Sequence, residues 1–293
     1  MLLAAGCLFI GLSQPSMAES GPRVVSVGGS VTEIVYALGA EDRLVGVDST
    51  SLYPPAAQQL PDVGYMRRLS AEPILSLEPD VILAAADAGP QSALDQLQSA
   101  GVEVVQIPDT PTPLGVAEKV RQVARALQVA DRGAALADQL DRQFDRLQAR
   151  LADLDTRPRV LLLLAVGRGT PMAAGTDTAA QGIIELAHGR NAIDAFSNYK
   201  PLSREAVVAA APDVFLTTER TVQRFGGRAE LLARPELATT AAGRTGRLVV
   251  MDGLLLLGFG PRTPQAAAQL AEQLHGSLDL PDLSEASVDD RDG

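Results

Sequence analysis

The chain has 293 residues, of which 46% are hydrophobic, and a formal net charge of −11 at pH 7. This much apolar sequence can form one large core or two moderate ones, and charged residues are too sparse for a disordered protein. An acidic chain lacks the basic surface that phosphate backbones require, so the composition argues against a nucleic-acid-binding protein.

The first residues have the pattern of a secretory signal peptide. An apolar run over residues 2–12 precedes the small-x-small cleavage pattern of residues 16–18. The run is too short to cross a membrane as a helix. Positive residues are missing ahead of it, which suggests a start codon further upstream. We predict export with residues 1–18 as the signal peptide; lipid attachment at Cys7, the single cysteine, is the alternative.

The next segment alternates strands and helices. Apolar, β-branched runs predict strands at 23–29, 43–48 and 102–108. Residues 30–39 have helical spacing, and Ser30 and Glu33 stand at the spacing of a capping box. Continuous apolar strands that alternate with helices indicate an α/β fold with a parallel sheet covered on both faces.

A long helical segment follows, and a second α/β unit comes after it. Within residues 116–155 we predict two helices, the longer one from 131 to 155. Its apolar residues recur at steps of three or four: Leu136, Leu140, Phe144, Leu147, Leu151 and Leu154. A strand at 159–167 and a helix at 178–189 then open the second unit. The predicted organisation is a first lobe at 22–128, a stiff connecting helix at 129–156, a second lobe at 157–277 and a disordered acidic tail at 278–293.

An internal repeat links the two lobes. "LSAEPILSLEPDVIL" (69–83) aligns with "LSREAVVAAAPDVFL" (202–216), and Glu72 coincides with Glu205. In each copy a serine is placed to cap a short helix, an acidic residue lies in its first turn, and Pro-Asp precedes a strand. The repeat suggests two similar lobes, although two ordinary α/β units can also match by chance.

The chain resembles the substrate-binding proteins of bacterial ABC importers, in the group with a rigid helical linker that carries haem, cobalamin and ferric siderophores. Over nearly all of residues 22–275 it is most similar to the haem-binding members. The similarity lies in "SVGGSVTEIVYALGAEDRLVGVDSTSLYP", "LPDVGYMRRLSAE", "PMAAG", "YKPLSREAVVAAAPDV" and "LLLLGFGPRTPQA". The resemblance implies a monomeric periplasmic protein with two Rossmann-like lobes. It would bind haem in the cleft between them and deliver it to an ABC permease and its ATPase.

The resemblance also implies roles for individual residues. Tyr65 matches an axial ligand of ferric haem iron, and Arg67 matches an arginine that assists that tyrosine. Glu72 and Glu205 match glutamates that pair with arginines of the permease. Some relatives carry a second iron ligand, a histidine, where this chain has "VGRGTPM". Arg168 is therefore expected to face the haem or its carboxylates instead.

The chemistry of the residues fits the metal-ligand assignment but does not decide it alone. Ferric iron favours an anionic oxygen ligand, and a guanidinium stabilises phenolate over phenol. If the loop is extended, Tyr65 and Arg67 share a face while Met66 and Arg68 point elsewhere. The alternative is that Tyr65 packs over the loop and both arginines are solvated.

Further residues are candidates for the remainder of the pocket. Arg220 and Arg224 follow a predicted strand of the second lobe, where a ligand-facing loop would emerge, and guanidinium groups suit haem propionates. A solvated loop explains them equally well. Candidates for the apolar wall are Met66, Met172 and Phe225, with core or loop packing as the alternative. We expect His188 and His275, near helix ends, to be structural.

Three functions remain to be distinguished. The first is a haem carrier with Tyr65 as iron ligand. The second is a cobalamin or siderophore carrier in which Tyr65 is a wall residue. The third is an α/β enzyme, for which the sequence offers neither a G-x-S-x-G nor an H-E-x-x-H motif.

Overall fold

The protein is described here by a computed structural model that covers residues 21–165, 171–280 and 283. The predicted signal peptide with Cys7, the candidate Arg168 and most of the predicted tail lie outside the described residues. Within those ranges, none of the helices combines the length and apolarity needed to cross a lipid bilayer.

Strands and helices alternate along most of the described chain. The strands are β1 Val24–Val27, β2 Leu44–Val47, β3 Val81–Ala85, β4 Glu103–Ile107, β5 Arg159–Leu164, β6 Met172–Ala174, β7 Arg190–Asn191, β8 Tyr199–Pro201, β9 Val214–Thr218 and β10 Leu248–Met251. The helices are α1 Gly29–Ala37, α2 Ala71–Leu75, α3 Gln91–Ser99, α4 Pro113–Ala126, α5 Ala130–Leu151, α6 Ala179–Leu186, α7 Arg204–Ala210, α8 Glu219–Arg224, α9 Arg228–Leu232, α10 Pro235–Ala238, α11 Ala241–Thr245, α12 Gly253–Leu257 and α13 Thr263–His275.

The first lobe contains a parallel sheet in the order β2-β1-β3-β4. Every residue of β1 and β3 is buried, as expected for central strands covered on both faces. The predicted strands at 23–29, 43–48 and 102–108 are confirmed, each shorter than its apolar run.

The second lobe has a mixed sheet in the order β10-β9-β5-β6-β8, with β7 paired to β5. Strands β9 and β10 run parallel to β5, but β6 is antiparallel to both β5 and β8. The prediction of a purely parallel sheet is therefore wrong for this lobe. Only seven residues separate β5 from β6, whereas a parallel connection needs a crossover of a dozen residues or more.

The internal repeat makes the same hydrogen-bonded contact in both lobes. Asp80 accepts a hydrogen bond from the backbone N–H of Arg23, and Asp213 accepts one from Arg159, both at 2.8 Å. Each arginine stands at the start of its lobe's first strand. Its guanidinium donates to carbonyls at the C-terminal end of the repeat's helix, those of Leu77 and Glu78 in the first lobe and that of Ala210 in the second. The aspartate of the Pro-Asp pair and the arginine together therefore hold the end of the repeat's helix against the first strand of the lobe.

The predicted caps agree with the structure only in part. Ser203 accepts a hydrogen bond from the Ala206 N–H at 3.1 Å, whereas Ser70 occupies the N-cap position without such a bond. The capping box of Ser30 and Glu33 is wrong. Helix α1 starts two residues earlier, with Gly28 as its N-cap; the φ of +112° there suits glycine, and both Ser30 and Glu33 lie inside the helix.

The two long helices pack side by side against the first lobe. The apolar face predicted for α5 is confirmed, with Leu136, Leu140, Phe144, Leu147 and Leu151 all buried. Leu154 lies beyond the helix end, where its carbonyl is 3.1 Å from His188 Nε2. At the far end of the chain, Asp279 pairs with Arg150 at 2.6 Å, so the first residues of the predicted tail are held against α5.

Two buried polar contacts join the lobes. The Glu33 carboxylate accepts from the Arg262 guanidinium at 2.8 Å and from its backbone N–H at 3.0 Å. The Lys119 ammonium, 1% exposed, donates to Asp109 at 2.5 Å and to the carbonyl of Phe259 at 3.0 Å. Arg262 and Phe259 belong to the second lobe, so charged groups of the first lobe depend on the second for their partners.

We expect Glu33→Ala to lower the free energy of unfolding by about 3 kcal/mol, because removal of one partner leaves the other charge of a buried pair uncompensated. Urea unfolding followed by circular dichroism measures this loss. The matched control is Glu118→Ala, which removes an exposed partner of Arg125 and should cost less than about 1 kcal/mol. Equal losses in the two variants would contradict a structural role of the buried pair.

Candidate functional site

The loops that follow the strands of the first lobe lie together at one edge of its sheet. All four strands are parallel, so their carboxyl ends face the same side. Asp48, Asp87 and Asp109 follow β2, β3 and β4 at this edge. Because Asp109 also holds the Lys119 ammonium that reaches the second lobe, the edge faces the cleft between the lobes.

A buried carboxylate organises two of these loops. Asp48 is 2% exposed and accepts four hydrogen bonds of 2.8–3.0 Å, two from Thr50 and one each from Gly28 and Ser51. The donors come from the loop after β1 and from the loop after β2. Asp48 therefore ties the start of α1 to the segment that leads to Tyr65.

The backbone around Tyr65 is anchored on both sides. Before it, the Gly64 carbonyl accepts from the Ser49 N–H at 2.9 Å, and Gly64 itself has a φ of +97°. After it, Met66 is buried in the first-lobe core, and its carbonyl accepts from the Gly89 N–H at 2.8 Å. Met66 is thus a core residue and not a pocket wall. The Tyr65 side chain, 36% exposed, is held outward by a fixed backbone.

Tyr65 forms the centre of a charged cluster. The Arg67 guanidinium donates from Nη1 to Tyr65 Oη at 2.7 Å, and its Nη2 pairs with the Asp87 carboxylate. Burial by itself lowers the pKa of Arg67, but the hydrogen bond to Tyr65 and the charge of Asp87 raise it above its ordinary value. The guanidinium therefore stays charged beside the phenol oxygen.

The condition of an extended loop holds for Tyr65 itself but not for the residues after it. Met66–Arg68 form a single 3-10 turn, and the guanidinium of Arg68 lies 5.8 Å from the centre of the Tyr65 ring, beside that of Arg67 at 6.0 Å. The pairing of Tyr65 with Arg67 is confirmed, but Arg68 does not point elsewhere. A tight turn brings consecutive side chains closer together than a strand does.

Tyr199 of β8, in the second lobe, lies within electrostatic range of this cluster. Burial raises the pKa of its phenol, and the charge of Asp109 adds to the rise. Hydrogen bonds from Ala180 and Thr178 and the positive charge of Arg67 act in the opposite direction. Arg67 and Asp109 of the first lobe are thus close enough to Tyr199 for their charges to affect it.

The other candidates for the pocket are more scattered. Met172 begins β6, is half-buried, and pairs with Leu164 at the end of β5. Arg220 and Arg224 lie on α8 and not on a loop; both are exposed, and among the described residues neither has an ion-pair partner. Phe225 lies against Arg234, whose guanidinium is 4.9 Å from its ring. Among the candidates within the described ranges, only Tyr65 and Arg67 are brought into direct contact.

The two glutamates of the repeat are exposed in the first turns of α2 and α7. Both helices lead into a strand of a parallel unit, so their first turns lie near the carboxyl edges of the sheets. The pKa of Glu205 is lowered by its own backbone N–H and by the Ser203 hydroxyl, which stabilise the carboxylate. One anionic side chain is therefore presented by each lobe on the cleft side of the molecule.

Sequence reasoning missed Asp48, Asp87 and Tyr199. Asp48 and Asp87 each follow an apolar strand within two residues. That position at the carboxyl end of a parallel strand is a signal that could have identified them. Tyr199 carries no such signal, because the short strand β8 places it and only the tertiary structure brings it towards Arg67.

Comparison with known proteins gives concordant results. The sequence pattern of a family described as periplasmic binding protein matches residues 24–254. Two solved structures share the fold. The periplasmic heme-binding protein BhuT, in complex with two hemes, is 44% identical with a TM-score of 0.83 over 86% of this chain and 97% of its own. The periplasmic heme-binding protein RhuT from Roseiflexus sp. RS-1 is 41% identical, with the same TM-score and coverage. A cobalamin-binding protein of Halobacterium salinarum is 28% identical over 87% of this chain and 70% of its own length.

We expect Asp48→Ala to lower the free energy of unfolding by about 3 kcal/mol, since buried donors lose their acceptor. The Ser49 amide, which depends on the position of Gly64, should also exchange its hydrogen faster. Urea unfolding and amide hydrogen exchange measure the two effects. Asp62→Ala is the control, because Asp62 is exposed and accepts a single N–H from Gly64. If Asp48→Ala lowers the free energy of unfolding no more than this control does, Asp48 does not organise the loops.

Proposed function

The chain belongs to the periplasmic binding protein family, and from this membership we propose that it captures ferric haem in the cleft between its lobes and delivers it to an ABC importer. Members of such a family bind and release a ligand, so the protein acts as a carrier and not as an enzyme. The observation that carries the proposal is the 2.7 Å hydrogen bond from Arg67 to the exposed phenol oxygen of Tyr65. The similarity to two heme-binding proteins at 41–44% identity supports it.

The Tyr65 oxygen has the properties required of a ligand to ferric iron. A phenolate is a hard anionic donor that suits this cation. A phenol must lose its proton on coordination, and the permanently charged Arg67 beside it stabilises the resulting anion. The described residues contain no cluster of three or more His, Cys, Asp or Glu arranged to bind a bare metal ion. A single tyrosine oxygen would instead suit an iron that already has four nitrogen ligands from a porphyrin.

The surroundings of Tyr65 also suit a flat, apolar ligand with carboxylates. Leu52 is 50% exposed and Tyr53 is 40% exposed, an apolar surface on the loop after β2. The Tyr53 ring lies 3.5 Å from the Arg262 guanidinium of the second lobe, which places this surface at the boundary between the lobes. Arg68 supports the proposal as a cation close to Tyr65. Arg168 remains a candidate to face the haem or its carboxylates, Arg220 and Arg224 remain candidates for the propionates, and Met172 for the apolar wall.

We expect Tyr65→Phe to abolish the tyrosinate-to-iron absorption of the ferric complex and to weaken haem binding by about tenfold or more, the equivalent of about 1.4 kcal/mol. Visible absorption spectra and haem titration of the purified mature protein measure both. Tyr36→Phe is the control, because Tyr36 lies on α1 and packs against the core. An unchanged spectrum in Tyr65→Phe would refute the ligand assignment. Cobalamin binding with no haem binding by the wild type would favour the carrier function of the Halobacterium relative.

For delivery, we propose that Glu72 and Glu205 dock the two lobes onto basic residues of the permease. Each is exposed at the first turn of a short helix, one on each lobe. Paired anionic groups on the cleft side would orient the cleft towards the membrane complex. The proposed location is the periplasm after removal of residues 1–18, with the protein acting as a monomer.

The double variant Glu72→Ala, Glu205→Ala should reduce haem uptake by cells while leaving haem affinity unchanged, because neither residue contacts Tyr65 or Arg67. Uptake assays and haem titration separate the two effects. The control is Glu103→Ala with Glu185→Ala, which removes one exposed carboxylate from each lobe at other positions. Normal uptake by the first double variant would contradict docking through these glutamates.

A further inference from the structure

Asp87 is the one anionic partner of the guanidinium that contacts Tyr65 among the described residues. Its carboxylate pairs with Nη2 of Arg67, while Nη1 of the same group donates to Tyr65 Oη at 2.7 Å. A guanidinium presents its donors as a rigid planar fork. An oxygen that holds one nitrogen therefore fixes the direction in which the other nitrogen points.

We propose that Asp87 is a positioning residue that aims Arg67 at the Tyr65 oxygen and thereby sets the strength of the bond between that oxygen and ferric iron. The inference rests on the proposed haem-binding function. It concerns a residue that touches neither iron nor Tyr65 and acts only through Arg67.

The backbone on both sides of the cluster supports this arrangement. The loop that carries Asp87 is joined to the loop of Tyr65 by two hydrogen bonds of 2.8 Å, from Gly89 N–H to the Met66 carbonyl and from Leu69 N–H to the Gly89 carbonyl. Asp87 and Tyr65 are therefore held at a fixed separation, with the Arg67 guanidinium between them.

Arg67 needs such a partner because its side chain is 55% exposed. A free arginine side chain of this kind has many rotamers, and its charge attracts any nearby carboxylate, including those of a bound ligand. With Asp87 in place, one rotamer is favoured before the ligand arrives. The donor to the phenolate is then preorganised.

A role in positioning and a role through charge alone predict opposite effects. A guanidinium beside the phenolate opposes its protonation, and protonation releases the iron. If Asp87 positions Arg67, removal of Asp87 weakens this opposition, and acid releases haem at a higher pH. If Asp87 acts only through its negative charge, removal strengthens the effect of Arg67, and acid releases haem at a lower pH.

The experiment measures acid release of ferric haem and the haem dissociation rate for the wild type, Asp87→Ala, Asp87→Asn, Arg67→Ala and the double variant. Asp87→Ala should move the release midpoint upwards and speed dissociation by about tenfold, as expected when one charge-assisted hydrogen bond is lost. Asp87→Asn, whose amide oxygen still accepts from Arg67, should remain near the wild type. Asp87→Ala should have no further effect in the Arg67→Ala background.

Several outcomes would overturn the proposal: a wild-type profile for Asp87→Ala, a downward shift of its midpoint, or a full additional effect in the double variant. Asp138→Ala serves as control, since it removes a surface partner of Arg121 at 3.4 Å on the paired helices α4 and α5. Circular dichroism and urea unfolding check that each variant is folded.

A measurement without haem keeps the inference separate from the proposed function. In protein labelled with ¹⁵N-arginine, the two Nη signals of Arg67 should be distinct in the wild type, because both nitrogens are held, and should merge in Asp87→Ala. Merged signals in the wild type would refute the positioning role. If the wild type fails to bind haem but its two Nη signals are distinct and merge in Asp87→Ala, the proposed haem-binding function is refuted while the positioning of Arg67 by Asp87 is supported.

Discussion

The buried ammonium of Lys119 is the constraint on which the arrangement of the two lobes depends. It projects from α4 of the first lobe, and its acceptors include Asp109 beside the cleft and the carbonyls of Gly258 and Phe259 from the second lobe. A charge that is 1% exposed must keep its partners, since a buried ammonium without them is strongly unfavourable. The lobes are therefore held together at this point, and the buried pair of Glu33 and Arg262 adds a second link.

A buried charge that gathers polar partners also organises the candidate ligand site. Asp48 is buried, so four donors gather around it, and they order the loops that support the Tyr65 segment. The ordered loops leave the side chains of Tyr65 and Arg67 exposed in a fixed relation to each other. A rigid base of the cleft and a preorganised donor together reduce the conformational entropy that ligand binding would otherwise lose.

Patterns of adjacent residues were predictable because local chemistry produces them. The strands of the first lobe, the apolar face of α5 and the acidic first turns at Glu72 and Glu205 all follow from spacing within one segment. The capping box failed for an instructive reason. Ser30 and Glu33 have the correct spacing, but Gly28 starts the helix earlier, and Glu33 pairs with a residue 229 positions away. No local sequence pattern distinguishes a glutamate that caps a helix from one that forms an ion pair with a distant arginine.

By itself the sequence determined two α/β lobes, a helical connection, a matched glutamate on each lobe and a tyrosine beside an arginine. The lobes, the helical connection and the matched glutamates follow from periodicity and repetition along the chain, whereas the tyrosine and the arginine were singled out by the resemblance of their segment to haem-binding proteins. The tertiary structure alone decided that Asp87 holds Arg67, that Tyr199 lies within electrostatic range of Arg67, and that Lys119 and Arg262 link the lobes. Each of these contacts joins residues far apart in sequence, and their partners are selected by the geometry of the folded chain.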